Sequence, residues 1–503
     1  MVARSSVVLT MLVLLLVVLR FWRITSYSLW GGEAFTMIGV QQSWRGMFAY
    51  IVADVVHPPL FYVLLRLWIA IGGDSLLWLK LFPVLTGVAV VVPFLLLCRE
   101  LSFGLPETNL ALLMVAVNGY LIHYAQELRM YSLLTFLAVC SFWLFVRLYN
   151  SPQPATGQLL VLTAVNLLAI YTHYYGWVVV GVEFFFLLVW QRQRAAAFGL
   201  SVLFLFICFA PWAYLVVQEA RAIGGLAQNL DWIPRPGVSN LLNLYVTLNG
   251  PLGNRYIRLL GLMLFGLPLL FWGWEVLRPG FRQCKDVPVR FSWLALLAFV
   301  PVTALFLVSQ WTEQAVWIDR YFIFIAIPYM MLVAAAVHQL RPPHLRTLWI
   351  AAIVVWSLLA GFNDLRTNRM AWESPQLGSR VDWDGLVEEM IAAEVDASGS
   401  VPVYTLTVFS RGLRTGDWAI STSLDYFAAL RGDDRFETRY APDVYAVLDQ
   451  ADEDRFWVGF FELAEWPQAS PPDVLAANGY HVGEPLVYQG YQDRLVLLPV
   501  HRQ

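Results

Sequence analysis

What most restricts this chain is a succession of apolar runs, because a bilayer crossing by helix takes roughly 20 predominantly apolar residues. The first run covers about 5 to 22, and others lie near 76–98, 109–122, 131–149, 157–172, 176–190, 195–216, 257–277, 290–309, 320–340 and 346–362. They predict a polytopic α-helical membrane protein with about eleven transmembrane helices. Composition agrees: 14% of the 503 residues are charged and 59% are hydrophobic, against about 25% charged in an average soluble chain. A soluble enzyme is excluded. The run 5 to 22 ends in Arg20, Phe21, Trp22 and Arg23 without a small-residue cleavage site, so it reads as a retained anchor, not a signal peptide.

One more apolar segment, Pro58 to Gly72, is about 15 residues long with Arg66 in its middle, and reads as interfacial or re-entrant. If it does not change sides, Arg99, Arg147, Arg192 with Arg194, Arg278 to Arg290, and Arg341 with Arg346 mark every second loop as basic, hence cytoplasmic. The N-terminus is then cytoplasmic. Loops 23–75, 123–130, 171–176, 217–256 and 310–319 share the outer face with the tail. No phosphate-cradling glycine loop or GxGxxG occurs, and no nucleic-acid partner is indicated. Cys98, Cys140, Cys208 and Cys284 have no paired spacing, so neither a disulfide framework nor a zinc site is indicated.

Charge and periodicity both change near residue 365. Residues 362 to 503 hold 23 Asp/Glu against 11 Lys/Arg, leaving 13 against 22 in the rest. Residues 384–395 read as an amphipathic helix, and 401–408, 456–461 and 494–500 as strands. Two domains are expected: a membrane domain, 1–365, with a catalytic outer loop 23–75, and a small extracytoplasmic α/β domain, 366–503.

The chemistry-bearing residues gather in the outer loops. Glu33 follows the first span in Ser28-Leu29-Trp30-Gly31-Gly32-Glu33-Ala34; a carboxylate there can act as general base toward a hydroxyl, or simply be a solvated loop acid. His57 precedes Pro58-Pro59, where helix is disfavoured, and can donate to a phosphate or orient a carboxylate. Glu127, Arg129 and Tyr131 stand at the mouth of a span, where ionisable groups are functional candidates, although an interfacial ion pair with an aromatic anchor explains them too. His173 and Tyr174 add to the same side, as do Arg320 and Tyr321. Lys80 lies just inside its run. Aromatic belts account for the tyrosines and tryptophans; they do not account for Arg320 at the lip of a span, where an anionic head group would pair. Carboxylates, His, Arg and Lys beside apolar helices suit a lipid-linked phosphate.

At these residues the chain resembles the membrane glycosyltransferases of the GT-C fold, in particular the bacterial dolichyl-phosphate-mannose-protein mannosyltransferase and aminoarabinose transferase relatives (glycosyltransferase family 39/83-like). Gln126, Glu127, Arg129 and Tyr131 match that family's Gln-Glu-x-Arg-x-Tyr pattern, Thr172-His173-Tyr174 its Thr-His-Tyr, Arg320-Tyr321 its Arg-Tyr, and His57-Pro58-Pro59-Leu60 part of its Asp-x-His-Pro-Pro-Leu. Two departures stand out. The family's catalytic Asp in Ser-Leu-Trp-x-Asp-Glu-Ala is Gly32 here, and the acid near His57 is Asp54, three residues before it instead of two. An Arg usual at the start of the second long span is Lys80.

The resemblance implies a cell-envelope enzyme, mannosyltransferase-like, that moves a sugar from a polyprenyl-phosphate donor to a hydroxyl acceptor (protein, lipid or glycan) outside the cytoplasm, with inversion. Glu33, helped by Asp54, would take the acceptor proton; Lys80, Arg129, His173 and Arg320 would hold the departing phosphate. The sequence specifies no cofactor and leaves a divalent metal open, since Glu33, Asp54 and Glu127 would suit one if they converged. Two other readings stay open: an inactive relative that binds polyprenyl phosphate or a partner protein, suggested by Gly32, and a lipid or solute transporter, for which no inverted repeat is found.

Overall fold

The computed structural model describes residues 2–152, 156–222, 233–277, 287–367, 381–397, 399–406, 408–410, 413–415, 417–462, 470–489 and 494–502. Cys284 and Lys285 lie outside the described residues. The N-terminal two thirds is helical. It runs α1 (Val2–Phe21), α2 (Gly31–Gln41), α3 (Trp44–Asp54), α4 (Leu60–Gly72), α5 (Leu76–Ala89), α6 (Val91–Glu100), α7 (Leu105–Val117), α8 (Gly119–Gln126) and α9 (Tyr131–Asn150). Then follow α10 (Thr156–Thr172), α11 (Gly176–Trp190), α12 (Arg192–Ala222), α13 (Val238–Leu248), α14 (Arg255–Leu277) and α15 (Val287–Trp311). A 3-10 segment, Asp319–Ile325, leads into α16 (Ala326–His338), and α17 (Pro343–Thr367) completes the series.

Every apolar run predicted from the sequence is helical. Among the described residues seven segments are long and apolar enough to cross a membrane, or eight with the bent pair α7–α8 taken as one; α4, α10, α11, α13 and Ser6–Phe21 of α1 are shorter apolar helices. At 13 residues, α4 measures about 20 Å, short of the roughly 30 Å hydrocarbon core, and α11, at 15 residues, is nearly as short. The α4–α5 turn is closed by a reciprocal clasp: Trp68 Nε1 donates to the Trp78 carbonyl (2.8 Å), Trp78 Nε1 donates to the Trp68 carbonyl (2.9 Å), and the rings stack at 4.2 Å.

The run 109–122 is broken. At Asn118 the backbone turns extended and the chain bends by 56° between α7 and α8. A break inside an apolar unit frees backbone groups that need partners. Asn118 Oδ1 accepts the Leu121 amide at 3.1 Å while its Nδ2 donates to the Leu248 carbonyl at 3.0 Å. Arg20, 2% exposed, donates to the Val115 and Ala116 carbonyls at the end of α7 (3.1 and 3.3 Å). Gln126 Nε2 ties the other end of α8 to the Arg20 and Trp22 carbonyls, both at 2.9 Å.

The chain divides into two compact units. The first holds residues 1–24, 48–73 and 78–372; the second holds 25–47, 74–77 and 373–503. Where the sequence placed one cut at 365, the second unit thus also takes up part of the outer loop. In the first unit the segment Asp319–His338 is the core helix, 94% buried. α10 and α11 approach closely because Gly176 begins α11: a Cβ there would stand 2.6 Å from the Ala169 carbonyl carbon and the Ile170 nitrogen.

The second unit is α/β. After α18 (Trp383–Ala393) come β1 (Val401–Leu406), the hairpin β2 (Val408–Ser410) and β3 (Leu413–Thr415), α19 (Asp417–Leu430), β4 (Phe436–Ala441), α20 (Val444–Gln450) and β5 (Arg455–Phe461). α21 (Pro471–Ala477), β6 (Tyr480–Val482), β7 (Leu486–Gln489) and β8 (Arg494–Arg502) follow. The sheet order is β4-β1-β5-β8-β6, with β7 also on β8; β4, β1 and β5 are parallel, and β8 is antiparallel to β5. β1 is buried along its whole length, which explains its unbroken apolar reading. Residues of the outer loop are built into this unit: Ser28 Oγ donates to the Val381 carbonyl (2.9 Å) and accepts the Trp383 amide (3.1 Å), and α2 packs on α19.

Gly176→Ala should destabilise the protein by about 1–3 kcal/mol, the usual cost of overpacking, whereas Gly181→Ala, with nothing within 4 Å of its Cβ position, should leave stability unchanged or slightly raised. Thermal melts in detergent check both; equal melting temperatures for the two variants would refute the close contact.

Candidate active site

Four helix junctions of the first unit converge on one cluster. The α3–α4 junction supplies Asp54 and His57, the α8–α9 junction Glu127, Arg129 and Tyr131, the α10–α11 junction His173 to Tyr175, and the start of the 3-10 segment Arg320 and Tyr321. Polar residues sit at such junctions because there the helix ladder stops and side chains can meet without burying an unmatched backbone.

The first set of contacts is a chain of three side chains. His57 Nδ1 donates to Asp54 Oδ2 at 2.5 Å, and His57 Nε2 accepts from Arg129 Nη2 at 2.9 Å. The donor and acceptor roles follow from chemistry: guanidinium only donates, so Nε2 must accept, leaving the His57 proton on Nδ1 for the carboxylate. Burial, opposed by Asp54 and reinforced by Arg129, lowers the His57 pKa from its ordinary 6.5. Val55, at φ 55°, turns the chain between Asp54 and His57, and its carbonyl accepts the Tyr174 hydroxyl at 3.2 Å. That turn explains how an acid three residues before the histidine still reaches it.

The second set is aromatic. Tyr321 meets His173 at 4.5 Å, Tyr175 at 5.3 Å and Tyr131 at 6.3 Å between ring centroids. Arg320 hydrogen-bonds Tyr131 and stands 5.8 Å from the Tyr321 ring. Glu127, 3% exposed, acts on Arg129 electrostatically and lies 3.9 Å from His123. His173 is 2% exposed. Its Nδ1 accepts the Tyr175 amide at 3.1 Å, which places the neutral ring's proton on Nε2, and Nε2 has no hydrogen-bond partner among the described residues. Burial, His57 and both arginines push the His173 pKa well below 6.5, so this N–H belongs to a neutral imidazole. A buried donor without an acceptor typically costs about 1–3 kcal/mol. Beside two guanidinium groups, it suits an anion.

Of the residues singled out from the sequence, Asp54, His57, Glu127, Arg129, Tyr131, His173, Tyr174, Arg320 and Tyr321 are therefore brought together. Lys80 is buried on α5 of the same unit. Glu33 belongs to the second unit, where it is 1% exposed and its Oε2 accepts the Trp30 amide at 3.2 Å, capping α2. Gly32 is crowded: a Cβ there would stand 2.5 Å from the Trp30 ring. Among the described residues no group of three or more His, Cys, Asp or Glu is arranged to hold a metal, so Glu33, Asp54 and Glu127 form no such set. Tyr175 is the member of the cluster that sequence reasoning passed over as belt aromatic; its hydroxyl donates to the Val316 carbonyl at 2.5 Å, and no local signal separates it from Tyr171 or Tyr174.

No family model matches the sequence, and comparison with curated proteins finds no match. Solved structures do match. ArnT from Cupriavidus metallidurans bound to undecaprenyl phosphate aligns over 98% of this chain and 97% of its own at 13% identity, with a TM-score of 0.59. Its apo form aligns over 99% and 98% at 15% identity, with a TM-score of 0.57. The Archaeoglobus fulgidus oligosaccharyltransferase in the apo form covers 87% of this chain and 64% of its own at 13% identity, with a TM-score of 0.50. Both neighbours, an aminoarabinose transferase and an oligosaccharyltransferase, are GT-C glycosyltransferases. This chain is a polytopic α-helical membrane protein of the GT-C fold with a small C-terminal α/β unit.

A histidine whose folded pKa is depressed binds fewer protons than the unfolded chain once the pH falls below 6.5. Stability should therefore hold above that pH and decline as the pH drops through the folded values. Melting temperature measured against pH should show this acid slope, and it should shrink in His57→Gln and His173→Asn; a slope identical in all three proteins would rule out these histidines as its source.

Proposed function

We propose that the protein transfers a sugar from a polyprenyl-phosphate donor to a hydroxyl acceptor on the non-cytoplasmic face of the cell membrane, inverting the anomeric carbon. The observation that carries this reading is the His173 Nε2–H, buried and unmatched among the described residues beside Arg129 and Arg320. It is supported by the overall likeness to ArnT from Cupriavidus metallidurans, a GT-C structure with undecaprenyl phosphate bound. In this reading the N-terminus is cytoplasmic, the C-terminal α/β domain is extracytoplasmic, and apolar helices accommodate the prenyl chain.

Each group has a part. Arg129, Arg320 and the His173 N–H hold the phosphate and stabilise the charge that grows on it as the glycosidic bond breaks, donors fixed in advance by burial. Lys80 adds a further cation. Asp54, which shares the cluster with Glu127, takes the acceptor proton, with His57 and Arg129 behind it to balance its charge. Glu33, which remains of the family's Asp-Glu pair, is the other candidate base for this step, although it is engaged at the start of α2. The sugar leaves the phosphate for the acceptor oxygen; the phosphate keeps the bonding electron pair, and the acceptor proton passes to the carboxylate.

A second reading, lipid-phosphate binding without transfer, is favoured by Gly32, which has no carboxylate where the family has one and whose side-chain space is taken by Trp30. Purified protein in nanodiscs, offered a labelled polyprenyl-phosphate sugar and a mixture of hydroxyl acceptors, separates the two. The transferase reading expects labelled acceptor, abolished by Asp54→Asn. Lipid binding with no transfer, in both the native protein and Gly32→Asp, overturns it.

The grip itself is testable without the acceptor. Arg129→Gln and Arg320→Gln should each weaken polyprenyl-phosphate binding by about tenfold to a hundredfold, the worth of a hydrogen bond to a charged group at roughly 1.5–3 kcal/mol. Unchanged affinity in both variants would place the phosphate elsewhere.

A further inference from the structure

Below the candidate site, the first unit buries a carboxyl group that the proposed mechanism does not use. Glu183 of α11, Ser141 of α9 and Asn166 of α10 are each fully buried and touch one another. The Ser141 Oγ lies 2.5 Å from Asn166 Oδ1 and 2.6 Å from Glu183 Oε1, and Asn166 Nδ2 lies 2.8 Å from Glu183 Oε2. Among the described residues the polar groups bearing on the Glu183 carboxyl are Ser141 and Asn166, with no arginine, lysine or histidine among them.

Counting protons decides the state of this ring. Three contacts need three hydrogens. With an ionised Glu183, the serine hydroxyl supplies one, and the asparagine amide supplies one, since its other contact is made by its oxygen. One contact would then be two oxygens at hydrogen-bond distance with nothing between them. Exchanging the Asn166 nitrogen and oxygen moves the unsupplied contact to Asn166 Oδ1 and Glu183 Oε2 without removing it. A proton on Glu183 closes the ring in either orientation. A lone buried carboxylate is also costly in an apolar medium, where such groups neutralise instead.

We propose that Glu183 is a protonated carboxylic acid in the folded protein, and that its proton closes a hydrogen-bonded ring that fixes α9, α10 and α11 against one another. The position matters. Ser141 is ten residues from Tyr131, Asn166 seven from His173 and Glu183 eight from Tyr175, so the ring sits roughly 10–15 Å along the helix axes from the junctions that carry the site. Glu183 is thus a positioning residue for Tyr131, His173 and Tyr175; this part rests on the function proposed above, whereas the proton assignment does not.

Four proteins and three readouts test it: the native chain, Glu183→Gln, Glu183→Ala and, as a second way to open the ring, Ser141→Ala. Glutamine supplies the same hydrogen as a protonated acid, so Glu183→Gln should melt with the native protein and bind undecaprenyl phosphate within about twofold. Glu183→Ala and Ser141→Ala should melt lower and bind about fivefold or more weakly. The infrared spectrum of the native protein should contain the carbonyl stretch of a protonated carboxyl that shifts in D2O and is missing from Glu183→Gln. The proposal is overturned if that band is absent, or if Glu183→Gln is as damaging as Glu183→Ala. Lower melting with unchanged lipid affinity in both alanine variants would overturn the positioning role. If the native protein binds no undecaprenyl phosphate, the functional reading fails by itself, and the infrared band and the order of melting still decide the proton.

Discussion

Within hydrocarbon the backbone must satisfy its own hydrogen bonds, and everything else in the first unit follows from that constraint. Uninterrupted helix meets it and leaves no room for chemistry. Chemistry is admitted only where the helix stops, and there each freed group needs a named partner. The α7–α8 break at Asn118 is the clearest instance: Asn118 caps the new helix, Arg20 takes up the carbonyls left by the old one, and Gln126 ties down the far end. Three residues further on stands Arg129. The break that costs the fold its continuous span is what brings a cation to the cluster.

Buried ionisable groups in this unit are handled in three ways. Arg20 is surrounded by carbonyl oxygens and acts as a cap. Arg129 is joined through His57 to Asp54, so its charge is matched by a carboxylate two side chains away. Glu183 has neither, and hydrogen counting makes it neutral. The His173 Nε2–H has no hydrogen-bond partner among the described residues, and in the function proposed above it is offered to an anion. A satisfied network rigidifies; an unfilled donor inside one is a place for a ligand.

Much of this was legible in the chain. Apolar length located the long helical runs but not α2, α3 or α13, which lie in stretches read as outer loops, and the change of charge and period marked the tail. In the tail, β1, β5 and α18 were readable from buried or alternating patterns, while β4, with its mixed burial and Arg439 and Glu437 on it, gave no apolar signal. In the site, ionisable residues at span mouths were readable because such groups are rare near lipid. Arg20 was not, since an arginine at the end of an apolar run ordinarily reads as an interfacial flank.

The sequence by itself determined which stretches must be helical and in lipid, and which junctions carry charge, because hydropathy and its period are local properties. Only the tertiary structure decided which of those charges meet: His57 with Arg129 across 72 positions of sequence, Ser141 with Glu183 across 42, and Glu33 with the Trp30 amide at its own helix start. Those choices depend on where helices cross and how closely they approach, as at Gly176 against Ala169 and Ile170. Residue spacing along one chain does not encode a crossing point; packing does.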